Sequence, residues 1–203
     1  MALSKTLIAS QAAYFLGLPG FSNVETEDSD AAVIINNIYD WALDSILREH
    51  TWNFALKRVE LATEVATPVW GYSKQATLPS DFIREVRINK HRYPYKVENG
   101  KLLSNLDTVA LVYIYRETNP GVYDPLFAEA FSLKLALRAG IALNRDKNAM
   151  LNLENLYTKA LKKAKQVDAS EGTPENIVDV GYYDNTYEFN NTGFGFIEGE
   201  DIN

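Results

Sequence analysis

Residues 109–127 read Val109-Ala-Leu-Val-Tyr-Ile-Tyr115, then Arg-Glu-Thr-Asn119-Pro120-Gly121-Val-Tyr, then Asp124-Pro125-Leu126-Phe127. The first seven residues are largely β-branched and aromatic, the composition of a central strand. Asn119-Pro120-Gly121 is a turn. Asp124-Pro125 then supplies a helix cap and a proline at the first helical position, where its missing N–H costs nothing. The helix that follows runs through Phe127, Ala130, Phe131, Leu133, Leu135, Ala136, Leu137 and Ile141. It is apolar nearly all round, with Glu129, Lys134 and Arg138 as exceptions, so it belongs at the centre of a bundle or inside an assembly.

Upstream of this junction lie further strands. Phe54–Ala62, Arg84–Lys90, Tyr93–Val97 and Lys101–Ser104 carry strand patterns, and Asn99-Gly100 between the last two is the best hairpin signal in the chain. Two helices precede them. One spans about Ser4 to Gly17, with Leu7, Ile8, Ala12, Phe15 and Leu16 at helical spacing and a stop at Gly17-Leu18-Pro19-Gly20. Ser10 and Gln11 interrupt its apolar stretch and no cleavage site follows, so it reads as an amphipathic helix and not as a signal peptide. The second starts at Asp28 or Ser29 and ends near His50. Ile34, Ile35, Ile38, Trp41, Ala42, Ser45 and Ile46 are expected inside, with Asn36, Asn37, Asp40, Asp44 and Arg48 on the other side. A fourth helix spans about Asn148 to Ala169, with Leu153, Leu156, Tyr157, Ala160, Ala164 and Val167 expected inside.

The expected fold is therefore mainly α with a β insertion, an α+β chain. Residues 1–52 and 118–171 form a bundle of about four helices. Residues 53–117 form a small antiparallel β-rich insertion between the second and third helices, and residues 172–203 an extended acidic and aromatic tail.

The net charge of −7 is unevenly distributed. From Glu171 onward there are eight acidic residues and no lysine or arginine, while all 20 basic residues and the other 19 acidic ones lie before. A nearly neutral body is not the footprint of a nucleic-acid-binding domain. Cysteine is absent, which excludes disulfides, thiolate metal sites and cysteine nucleophiles. No apolar run is long enough to cross a bilayer.

Few residues offer chemistry. His50 is placed at a helix end, where an imidazolium suits the dipole, and His91 in a charged turn. Neither has a partner at metal-ligand spacing. Glu25, Glu27, Asp28 and Asp30 form the densest acidic cluster, read as a solvated loop and cap. No nucleophile elbow and no phosphate-binding loop occurs, so no catalytic, cofactor or metal residue is assigned and the chain reads as a non-enzyme.

Two features point to partners. Tyr182, Tyr183, Tyr187, Phe189, Phe194 and Phe196 crowd into a tail that is otherwise rich in charge and glycine. Aromatic anchors on a segment without its own core suit docking onto another protein. Folding back on the same chain, or plain disorder, are the alternatives. Lys159, Lys162 and Lys163 share one side of the fourth helix. They could face solvent, acidic residues of a neighbouring subunit, or DNA. A neighbour is preferred to DNA, because each phosphate neutralised adds salt-dependent affinity.

The order of several short motifs resembles a family. A helix pair leads into Trp52-Asn53-Phe54-Ala55 and a strand, then Leu78-Pro79-Ser80-Asp81-Phe82-Ile83-Arg84-Glu85-Val86. Tyr95 to Gly100, Tyr113-Ile114-Tyr115-Arg116, Asp124-Pro125-Leu126-Phe127 and a lysine-rich helix ending at Asp168-Ala169-Ser170-Glu171 follow. Over residues 3–171 this set is similar to the head-to-tail adaptors, or connectors, of short-tailed phages (podoviruses), the group that includes the tail tubular proteins. No single motif is specific, and the tail matches no fixed family pattern.

The resemblance implies a structural subunit of a homo-oligomeric ring, typically twelvefold. Such a ring docks under the portal protein, meets a further tail or nozzle protein and continues the DNA channel, which DNA passes without specific binding. It implies assembly in the host cytoplasm and a place in the virion neck, with no cofactor and no membrane. Two other readings stay open. One is a virion-associated glycan or peptidoglycan hydrolase working with two carboxylates. The other is a non-phage interaction module with an acidic docking tail.

Overall fold

The computed structural model describes residues 3–88 and 93–171. It is an α+β fold of four helices and two small antiparallel sheets. Helices α1 (Lys5–Phe15), α2 (Asp30–Leu47), α3 (Pro125–Ala142) and α4 (Lys147–Ser170) each begin at a side chain that accepts backbone N–H groups. These caps are Ser4, Ser29, Asp124 and Asp146, placed where the first amides would otherwise lack partners.

Helix α3 packs against α1, α2 and α4, and it is buried on every side along most of its length. This is why its sequence shows almost no polar face. Phe127, Ala130, Phe131, Leu133, Leu135 and Ala136 are buried as expected. Lys134, read as an exception to the apolar pattern, is buried as well and is paired with Glu49 of the α2 end.

The strands are β1 (Leu56–Ala62), β2 (Lys74–Thr77), β3 (Phe82–Ile88), β4 (Tyr95–Glu98), β5 (Lys101–Ser104) and β6 (Thr108–Tyr115). They form two three-stranded sheets, ordered β1-β6-β3 and β2-β5-β4. Asn99 and Gly100 both take positive φ, 49° and 70°, and so turn β4 into β5 as a tight hairpin. β2 has no sequence signature: it is four residues long and only Ala76 is buried. Pairing with β5 creates it. The strand expected at Arg84–Lys90 begins earlier, at Phe82, and the one expected at Tyr93–Val97 is Tyr95–Glu98.

There are two apolar cores. The larger is built around α3 and takes in Trp52, Ala55 and Ile114 from the edge of the β region. The smaller lies between the two sheets, where Leu61, Ile88 and Leu111 of one meet Ala76 and Leu102 of the other. β6 serves both. Val109, Leu111 and Tyr113 face the inter-sheet core, and Ile114, one residue out of phase, enters the helical core. Polar ties fasten the β1-β6-β3 sheet to α2. Arg116 pairs with Asp44 through two nitrogens, Arg48 Nη1 donates to Ile83 O at 2.6 Å, and Arg84 Nη2 donates to Thr51 Oγ1 at 2.7 Å.

Three apolar residues expected inside are on the surface. Trp41 is 62% exposed because the inward face of α2 is set by Ile35, Tyr39, Ala42, Leu43 and Ile46. Its ring instead receives the Arg138 guanidinium, 3.6 Å from its centroid. Ile141 lies in the last turn of α3, and Leu156 falls outside the narrow inward stripe of α4 formed by Leu153, Tyr157 and Ala164.

Trp52 is fully buried where the helical and β parts join, and its Nε1 donates to Ile46 O at 3.0 Å. Trp52→Ala is expected to cost about 3–5 kcal/mol through lost burial and a cavity. Urea denaturation checks this. A loss below about 1 kcal/mol, the range of a surface change, would show that this joint is not a keystone.

Candidate functional site

The side chains that bear polar chemistry gather where α2 ends and β1 begins. Beyond Leu47 the chain runs through Arg48, Glu49 and His50 to Trp52, and the last turns of α4 lie against it. Asp168, on α4, is buried. Its Oδ1 accepts the Asn53 N–H at 3.0 Å, and its Oδ2 lies 3.1 Å from His50 Nε2. Asn53 Nδ2 donates to Asp168 O at 2.6 Å. One turn away, Glu49 accepts from Lys134 and, at 2.9 Å, from the Tyr157 hydroxyl, while Lys165 stands 3.8 Å off.

The carboxylates of Asp168 and Glu49 are thus both engaged with other parts of the fold. Burial pushes the His50 imidazole below its usual pKa. The Asp168 carboxylate opposes that shift without cancelling it. His50 is therefore not the helix-end imidazolium expected from the sequence. It lies past the end of α2, edge-on to the Trp52 ring at 4.8 Å, and favours its neutral form. The Lys134 ammonium is also pushed down by burial, against the pull of Glu49. A His–Asp pair can orient a base, but the nearby hydroxyl of Thr51 is taken up by Arg84. The cluster ties α2, α3 and α4 to the start of the β region.

Two carboxylates of the acidic run before α2 are likewise occupied. Glu25 pairs with Lys5 at 3.0 Å, Glu27 accepts from Ser22 N and Ser29 Oγ, and Ser29 caps α2. A second carboxylate, Asp81 of the Leu-Pro-Ser-Asp-Phe motif, accepts from Lys57 at 2.6 Å and from the Tyr113 hydroxyl at 3.0 Å. That hydroxyl is pushed up to about 12 by burial and by Asp81. Among the described residues, no group of three or more His, Asp or Glu side chains could hold a metal ion, and no helix is long and apolar enough to cross a membrane.

The lysines singled out on α4 do share a face. Lys159, Lys162 and Lys163 are all exposed, and none makes an ion pair among the described residues. Beside them a shallow hollow is lined by Thr158, Leu161, Lys162, Lys165, Gln166 and Ala169. Tyr182, Tyr183, Tyr187, Phe189, Phe194 and Phe196, and also His91, lie outside the described residues.

Two surface features were not anticipated from the sequence. The loop between β1 and β2 carries Val65 and Val69 fully exposed and Trp70 85% exposed. An apolar hollow of about 210 Å³ lies between α1 and α3. The loop did leave a signal: residues 65–73, Val-Ala-Thr-Pro-Val-Trp-Gly-Tyr-Ser, contain no charge and fit neither a helical nor an alternating pattern. The hollow left none, since it arises from the way two helices cross.

No protein-family model matches the chain, and no curated protein matches it.

His50 gives this cluster a pH signature. Its folded-state pKa lies below the ordinary 6.5, so the unfolded chain takes up this proton first. The stability contributed by neutral His50 is present above about pH 6.5 and lost as pH falls through the folded value. Urea midpoints from pH 8 to 5 are expected to fall for the wild type and to flatten in His50→Gln. An equal slope in both would remove His50 from the account.

Proposed function

We propose that this chain is a structural subunit of a phage head-to-tail adaptor ring and that it works by assembly, not turnover. The observation that carries the reading is how its side chains are used. Trp52, Asn53, Asp81, Tyr113, Arg116, Asp124 and Asp168, on which the family resemblance rests, are all engaged in caps or joints. What the surface leaves unengaged is a lysine face, an uncharged apolar loop and an apolar hollow. These are contacts for other proteins. A hydrolase would need a cleft with two free carboxylates, whereas Glu49, Asp81 and Asp168 are each held by neighbours.

In this reading the subunits stand side by side in a ring, typically twelvefold. The β region meets a neighbour or the next tail or nozzle component. The acidic tail, with its six aromatic anchors, latches onto the portal or an adjacent subunit. Ordering of the tail is coupled to docking, and repetition around the ring makes weak contacts effective. The near-neutral body lets DNA slide past without a grip. Assembly takes place in the host cytoplasm and the product is part of the virion neck.

Removing residues 173–203 is expected to leave the helical and β body folded, by circular dichroism, and to abolish attachment to portal-bearing heads. Undiminished attachment would sink the latch. Charge reversal of Lys159, Lys162 and Lys163 together is expected to weaken binding between subunits and to flatten its salt dependence. Binding unchanged in strength and salt response would return these lysines to the role of a solvated face. Purified chain is expected to release no fragments from peptidoglycan, and clear turnover would favour the hydrolase.

A further inference from the structure

The most anomalous surface in the described residues is the β1–β2 loop. Val65 and Val69 are fully exposed and Trp70 is 85% exposed. A large side chain this bare, with valines beside it, is an interface anchor without its partner. The Trp70 indole N–H makes no hydrogen bond with any described residue. Gly71, at φ +88°, turns the chain immediately after it and keeps the tryptophan at the loop's tip.

On the helical side of the molecule, the hollow between α1 and α3 has the complementary character. Its volume, about 210 Å³, suits one large aromatic side chain. Leu7, Ile8, Phe15 and Ala128 line it, and Gln11 and Glu129 stand at its lip. Both lip residues are exposed and neither has a hydrogen-bond partner among the described residues. An apolar floor with unengaged acceptors at the rim fits an indole: an apolar body with one donor.

We infer that the Val65–Trp70 loop of one copy of this chain seats in the α1/α3 hollow of the next. The choice of occupant rests on charge. The hollow has a carboxylate at its lip, and loop residues 65–73 carry no charge. The rival occupant is the aromatic tail, which brings eight acidic residues and no base from Glu171 onward. Those acids are repelled by Glu129 and suited to the lysine face of α4.

The contact joins two different surfaces, so it is heterologous. Repetition of such a contact closes into a ring when the rotation per step allows. Its size is telling. One tryptophan and two valines bury on the order of 400 Å² per partner, about half of the 800 Å² typical of a stable pair. Two copies alone therefore associate weakly, and the contact gains strength from repetition. The inference deepens the ring proposal and rests on it for its biological setting, but the contact itself can be tested apart from any portal.

Two variants are made in the full chain. Val65→Ser/Val69→Ser/Trp70→Ser blunts the loop. Gln11→Trp, at an exposed helical position that tolerates substitution, fills the hollow. Circular dichroism establishes that both fold. Sedimentation velocity at near-millimolar concentration is expected to show weak self-association of the wild type, reduced about tenfold or more in each variant. Mixing the two variants is expected to restore association, as dimers only, because each supplies the face the other lacks. Damage to the fold cannot produce that rescue. A wild type that stays monomeric at this concentration, variants that associate normally, or a mixture without rescue would each overturn the contact. If the variants still form rings on portals, the contact fails and the ring reading stands. If wild-type chain forms no ring on portals, the ring reading fails.

Discussion

The rest of the structure hangs on the ring of Phe127. It meets Trp52 at 4.9 Å, Phe54 at 4.7 Å, Tyr123 at 5.2 Å and Phe131 at 6.0 Å between centroids, mostly edge to face. Such pairs add about 0.5–1.5 kcal/mol each beyond the area they bury. Their larger effect is geometric. Trp52 and Phe54 belong to the exit from α2, Tyr123 to the entry into α3, and Phe127 and Phe131 to α3 itself. One aromatic cluster therefore fixes where the β region leaves the bundle and where it returns. The Asp124 cap and Pro125 immediately before Phe127 set the phase of α3, so the same short segment decides both the helix start and the ring contacts.

A second layer of polar ties makes that joint directional. Arg116 with Asp44, Arg48 with the Ile83 carbonyl and Arg84 with Thr51 hold the β1-β6-β3 sheet against α2. Asp168 brings the end of α4 to the same place by binding Asn53 and His50. The end of α4 is thus anchored to the joint. A body tied together in this way can present loop, hollow and lysine face in fixed relation, as the proposed ring would require.

Much of the fold was legible in the chain itself. Helices α2 and α3 show in their caps, α1, α2 and α4 in their periodicity, the hairpin in Asn99-Gly100, and the central role of α3 in a sequence with hardly a polar face. The failures have physical reasons. Trp41 keeps helical phase with buried residues but rides the edge of the stripe, where the Arg138 cation lies over its ring. Lys134 reads as a surface residue until Glu49, which also accepts from the Tyr157 hydroxyl, supplies its pairing. β2 exists only because β5 offers it an edge. Asp168 looks like any acid at a helix end, and only the tertiary contact with Asn53 and His50 makes it a joint. Of the candidate sites, the lysine face was readable from spacing along one helix. The hollow was not, because two helices 110 residues apart in sequence build it.

In the proposed reading, the described side chains hold the molecule together and its surface is left to neighbours. Native mass spectrometry of the full chain, with and without a phage portal protein, tests this proposal most directly. The account predicts a closed oligomer of defined stoichiometry, typically twelve subunits, bound to the portal. A chain that remains monomeric and unbound at every ratio of chain to portal would contradict it.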